Sequence, residues 1–114
     1  MLSLRFNQYQ KEDKMDITQN KVADGFEVIV SGRLDTTTSP ELEMALKKLE
    51  LGSKQVLHLD LSGITYVSSA GLRVILLAHK LMLPTGGKMM LRNPSEFCKQ
   101  VLEATGMDSI LSIE

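Results

Sequence analysis

The chain predicts a single α/β domain: a mixed β-sheet of four to five strands with interspersed α-helices. Three observations lead there. The 114 residues suffice for one hydrophobic core and are too few for two ordinary domains. Segments of period two are interleaved with segments of helical period, in the order β-β-α-β-α-β-α with a short final strand. An Asp-Gly dipeptide joins the first two strand segments, which makes that pair antiparallel, whereas the later strand–helix–strand stretches call for parallel pairs with right-handed crossovers.

Residues 1–14 (MLSLRFNQYQKEDK) show no sustained periodicity and read as an N-terminal extension, with an extra edge strand as the alternative. The domain proper, residues 15–114, starts at Met15. Ile17, Gln19, Lys21 and Ala23 with their neighbours form a first strand, and Asp24-Gly25 is the hairpin turn. Phe26, Val28 and Val30 then alternate with Glu27, Ile29 and Ser31 in a strand rich in β-branched residues. It runs through Gly32-Arg33-Leu34-Asp35 into Thr36-Thr37-Thr38-Ser39. Thr38 and Glu41 have the spacing of a capping box, and Pro40 suits a first helical turn. Leu42, Ala45, Leu46 and Leu49 make the buried stripe of the helix that follows, which Leu51-Gly52-Ser53 ends.

Val56 to Leu61 is a short strand, central because it is apolar at most positions. A turn carrying Ser68 and Ser69, then Ala70 and Gly71, leads into a helix from about Ser69 to Leu83. Its polar positions are few, so most of that helix is expected to be buried. Pro84-Thr85-Gly86-Gly87 stops it. Lys88 to Arg92 is the next strand, and Asn93-Pro94-Ser95 opens a third helix with Phe97, Val101, Leu102 and Ala104 inward. Gly106 caps that helix, and Ile110 to Ile113 form a last segment.

Composition narrows the function. A net charge of −1 carries no basic excess for nucleic acid or an anionic membrane. No tryptophan and 4% aromatics leave few platforms for stacking bases. One cysteine, Cys98, allows no internal disulfide and fits a reducing cytoplasm. The apolar run from Val74 to Leu83 is too short for a bilayer, and no apolar signal core opens the chain. A soluble, cytoplasmic protein is expected.

Candidate sites are few. Ser68 or Ser69 as a hydrolytic nucleophile would need a base, but His58 lies in the strand before the turn and His79 far along the helix after it; Gly-x-Ser-x-Gly is also missing. His58, His79 and Cys98 have no metal-ligand spacing, and Gly86-Gly87 lacks the following lysine of a phosphate loop. What remains is the serine pair and the Asp35 loop. A strand running into a helix leaves free amides and the positive end of the helix dipole at the junction, where a hydroxyl either caps the helix or can carry an attached anion. Asp35 alone could be a turn residue before the helix.

The segments Gly32-Arg33-Leu34-Asp35, Thr37-Thr38-Ser39-Pro40-Glu41-Leu42 and Asp60-Leu-Ser-Gly-Ile-Thr-Tyr-Val-Ser-Ser-Ala-Gly-Leu-Arg-Val-Ile-Leu76, with Asn93-Pro94 and Leu102-Glu-Ala-Thr-Gly-Met-Asp-Ser-Ile-Leu111, carry a resemblance. In that order they resemble the STAS domain of bacterial anti-sigma-factor antagonists, across Met15 to Glu114. The resemblance implies a STAS-like fold and a regulatory binding protein, with no catalytic site and no cofactor of its own. In the family the serine two positions before the glycine is phosphorylated by a partner anti-sigma factor with serine-kinase activity, which supplies the ATP. That position here is Ser69. Members often have Asp just before it; this chain has Ser68, which makes Ser68 the second candidate. Ala70 stands where many members have Ser or Thr.

The partner-binding surface so implied comprises Asp35, Thr36, Ser68, Ser69, Gly71, Leu72 and Arg73. The expected partners are that kinase and a phosphoserine phosphatase, not nucleic acid or membrane. One alternative is a STAS subunit docked permanently in a lipid or solute transport complex. The other is a small enzyme or ligand-binding domain built on the serine turn.

Overall fold

A computed structural model describes residues 15–114. The expectation for residues 1–14 lies outside the described residues. β1 (Met15–Val22) and β2 (Gly25–Leu34) form the antiparallel hairpin, paired from Met15 opposite Gly32 to Val22 opposite Gly25. The turn itself is Ala23-Asp24, one residue earlier than the Asp-Gly pattern suggests. Gly25 pairs with Val22 and Val56 and so belongs to the strand, and a side chain there has no room: a Cβ would stand 2.0 Å from the Val56 carbonyl oxygen.

α1 (Ser39–Lys47), β3 (Val56–Val67), α2 (Ser69–Met82), β4 (Lys88–Arg92), α3 (Glu96–Thr105) and β5 (Ser112–Ile113) follow, so the expected element order holds. The strands lie in the order β1-β2-β3-β4-β5, and every pair after the first is parallel. Among the described residues it is a five-strand mixed sheet with three α-helices. Val28, Leu57, Leu59 and Leu91 from the sheet join Leu42, Leu46, Ile75, Ala78, Cys98 and Leu102 from the helices in one core cluster. All three helices therefore cover the same face. The opposite face, with Glu27, His58 and Arg92, has no layer of described residues over it and is only half-buried.

Four expectations need correction. β3 continues six residues past Leu61 to Val67. Two irregularities in its register with β2 absorb extra residues on the β3 side, as bulges do: Asp60 pairs with Ile29 but Gly63 with Ser31, and Ile64 with Gly32 but Tyr66 with Arg33. The inward residues accordingly run Leu57, Leu59, Leu61 and then Ile64, Val67.

α1 stops at Lys47 rather than near Leu51. A tight bond from the Leu49 amide to the Leu46 carbonyl (3.2 Å) turns the chain, and Leu49 and Leu51 still pack on the core. α2 buries one stripe, Gly71, Val74, Ile75, Ala78 and Met82, while Leu72, Leu76, Leu77 and Leu81 stay half-buried, because only its inner side meets the core. α3 turns Cys98 and Leu102 inward; Phe97 and Ala104 are exposed. Ser95 caps that helix by accepting from the Cys98 amide (3.1 Å), which fixes its rotation.

Candidate functional site

At the ends of the adjacent strands β2 and β3, two strand-to-helix connections lie together. Leu34 links them. Its carbonyl accepts the Ser68 amide (2.9 Å), and a Cβ on the buried Gly71 would lie 2.7 Å from that same oxygen and 2.8 Å from Leu34 Cγ. Only glycine lets the first turn of α2 approach β2 this closely. Gly71 thus sits beneath the surface, holding the two connections in contact.

The first connection is closed on itself. Asp35 Oδ1 accepts from the Thr37 hydroxyl (2.8 Å), the Thr37 amide (3.0 Å) and the Thr38 amide (3.2 Å), while Arg33 Nε lies 3.5 Å from Oδ2. These hydrogen bonds, the Thr37 hydroxyl first, hold the Asp35 carboxyl down at about 2, against an ordinary 3.8. Thr38 Oγ1 donates to the Arg33 carbonyl (2.7 Å) and accepts from the Asp35 amide (2.9 Å). The capping box expected of Thr38 and Glu41 is therefore not made. Thr38 stands at the N-cap position, but its backbone is already helical (φ −98°, ψ −25°), and its hydroxyl is turned back into the loop. Thr36, at the tip, is exposed.

The second connection is open. Ser68 has the extended backbone of an N-cap (φ −94°, ψ 177°), and its hydroxyl accepts from the Gly71 amide at 3.3 Å. Ser69 is the first residue of α2; it is exposed, and its hydroxyl makes no hydrogen bond among the described residues. Leu72 is half-buried, and Arg73, one turn on from Ser69, is exposed.

Three residues beside this site are not among the expected site residues. The Arg33 guanidinium lies 4.3 Å over the Tyr66 ring, whose centroid is 5.8 Å from that of Phe97. The stack joins the ends of β2 and β3 to the start of α3. Tyr66 next to the inward Val67 was the available signal, but it carries weight only once β3 is known to reach that far.

The other candidates lie apart. His58 Nε2 is 2.9 Å from Asp24 Oδ1, beside an open groove of ≈ 430 Å³ lined by Val22, Glu27 and Arg92. His58 beside that groove is roughly 30 Å along β3 from the strand's end at Val67, at ~3.3 Å per residue. His79 is ~15 Å along α2 from Ser69 at ~1.5 Å per residue. Neither imidazole reaches a serine. Burial pushes the Cys98 thiol up to about 11, so it remains a thiol in the core. No helix among the described residues is long and apolar enough to cross a membrane.

A family profile described as "STAS domain" matches residues 15–114. The anti-sigma-B factor antagonist of Bacillus subtilis (strain 168) is 30% identical over 100 residues, spanning 87% of this chain and 88% of the relative. The crystal structure of an anti-sigma factor antagonist from Mycobacterium paratuberculosis has a TM-score of 0.74 at 21% identity, over 89% of this chain and 86% of that one. The Bacillus cell fate determinant SpoIIAA, solved in its phosphorylated form, has a TM-score of 0.62 at 14% identity, over 87% of this chain and 91% of that one. At these identities the two structures speak to the fold.

Proposed function

The chain belongs to the STAS domain family, and on that premise we propose that it is an anti-sigma factor antagonist switched by phosphorylation of Ser69. Unmodified, it binds an anti-sigma factor that is also a serine kinase, so that the sigma factor is released; phosphorylated, it lets go. The observation that carries this choice is the contrast between the serines. Ser68 spends its hydroxyl on the helix cap, whereas that of Ser69 is exposed and unbonded among the described residues. The anti-sigma-B factor antagonist relative supports it.

In the transfer, a bond forms between Ser69 Oγ and the γ-phosphorus of ATP bound to the kinase. The bond to the β-phosphate bridging oxygen breaks, ADP departs, and the hydroxyl proton passes to a base of the partner. A phosphoserine phosphatase reverses the mark by hydrolysis. The phosphate adds a charge of about −1.5 to −2, which the amino end of α2 tolerates through its dipole. No carboxylate lies in the first turn of α2 to repel it. A docked partner, in contrast, has to desolvate that charge, and without a cation to meet it the complex weakens.

The docking surface is Ser69, Ser68, Leu72 and Arg73 with Asp35 and Thr36 alongside, and Gly71 as the buried support. The test is the affinity of the isolated anti-sigma factor for the unmodified chain and for the chain carrying phosphoserine at position 69. A loss of about one hundredfold or more, ~3 kcal/mol, is expected. Equal affinities would refute the switch.

A further inference from the structure

We propose that Arg73 holds the Ser69 phosphate within the same chain, so that modification adds an anion to the docking face and withdraws a cation from it. The inference rests on Ser69 being the residue modified. Of the two arginines nearest in the chain to the two connections, only one is free among the described residues. Arg33 is committed: its guanidinium lies over the Tyr66 ring and its Nε is 3.5 Å from the Asp35 carboxylate. Arg73 is exposed and makes no ion pair or hydrogen bond among the described residues.

Its own helix also leaves it unpaired, since α2 (SAGLRVILLAHKLM) contains no Asp or Glu. Positions four apart on a helix are neighbours, and an anion on the N-terminal member with a cation on the C-terminal one is the favourable orientation. Ser69 and Arg73 have that spacing and, once a phosphate is attached, that polarity. The guanidinium can meet two phosphate oxygens at once with its planar fork, which an ammonium cannot. Unmodified, Arg73 points its charge at whatever docks on the start of α2. Phosphorylated, it turns back one turn to its own chain.

The experiment uses the full chain with phosphoserine incorporated at position 69 during synthesis, so it needs neither kinase nor anti-sigma factor. The second ionisation of the phosphate is followed by phosphorus NMR in wild type, Arg73→Gln and Arg73→Lys. Every other charge near the phosphate, including Asp35 and Arg33, is common to the three proteins, so the differences isolate position 73. The wild-type phosphate is expected to ionise lower than that of Arg73→Gln by about 0.2–0.4 pH unit at low salt. Arg73→Lys should fall between, and molar salt should shrink the gap because the pair is at the surface.

Coincident titrations of wild type and Arg73→Gln at low salt would overturn the proposal. That result leaves the switch itself untouched, because the switch is judged by whether the anti-sigma factor releases the phosphorylated chain. Conversely, a clear titration gap with undiminished partner binding would sink the switch and leave the Arg73 contact standing.

Discussion

The Asp35–Thr38 connection and the Ser68–Gly71 connection do the same topological job with opposite use of their polar groups. Each carries the chain from the end of a parallel strand into a helix. In the first, one carboxylate and two threonine hydroxyls satisfy each other and the nearby backbone within a few residues. In the second, a single 3.3 Å bond from the Gly71 amide to Ser68 is the whole side-chain network, and the next hydroxyl faces water. The difference teaches how a rigid fold can host a modifiable residue. The closed loop fixes geometry, and the open turn, held against it at Leu34, inherits that geometry without using up its own hydroxyl.

The sharpest way to break this pairing is to push the connections apart. Gly71→Val is expected to cost about 3 kcal/mol, since even a Cβ would collide with Leu34. Urea unfolding measures it, and a cost below about 0.5 kcal/mol, the range of a neutral surface change, would mean the two connections are not coupled.

A smaller effect tests the closed loop alone. Asp35 ionises at about 2 in the folded chain against 3.8 ordinarily, so the folded state binds fewer protons than the unfolded chain between those values. Its stabilisation is complete above about pH 4 and is lost as pH falls through about 2. Asp35→Asn should therefore be weaker than wild type by about 1 kcal/mol at neutral pH, with the gap narrowing across that acid window. A gap independent of pH would show that the carboxylate charge is not what holds the loop.

The smallest effect separates the serines. Ser68→Ala should lose about 1 kcal/mol with the helix cap, and Ser69→Ala should stay within about 0.5 kcal/mol of wild type. Equal costs would erase the structural distinction between them.

The alternation of Phe26, Val28 and Val30, the stripe of Leu42 and Leu46, and the Ser68-Ser69 junction were all legible in the sequence. Each depends on contacts of one local period. Features that depend on a neighbouring strand were not. Ser62-Gly63 resembles a turn, yet lies inside β3, because bulges let a strand pass through residues that break the two-residue rhythm. The spacing of Leu57, Leu59 and Leu61, then Ile64 and Val67, records that change of rhythm and could have been read.

Thr38 has the spacing of a cap, but the Arg33 carbonyl and Asp35 amide, on the strand side, claim its hydroxyl. In α3 the expected stripe holds at Leu102, while the neighbouring Cys98 turns inward in place of Phe97, which looks like core because it is aromatic. The Tyr66 ring across from it gives Phe97 a reason to stay at the surface. At the serine turn the pattern marks the junction, and only the bond from the Gly71 amide to the Ser68 hydroxyl distinguishes the two serines.

The most direct measurement is to incubate the chain, Ser68→Ala and Ser69→Ala with the anti-sigma kinase and ATP, then locate phosphate by mass spectrometry. The account predicts a single phosphate on Ser69 in wild type, retained in Ser68→Ala and absent from Ser69→Ala. Phosphate on Ser68 with Ser69 unmodified would contradict it.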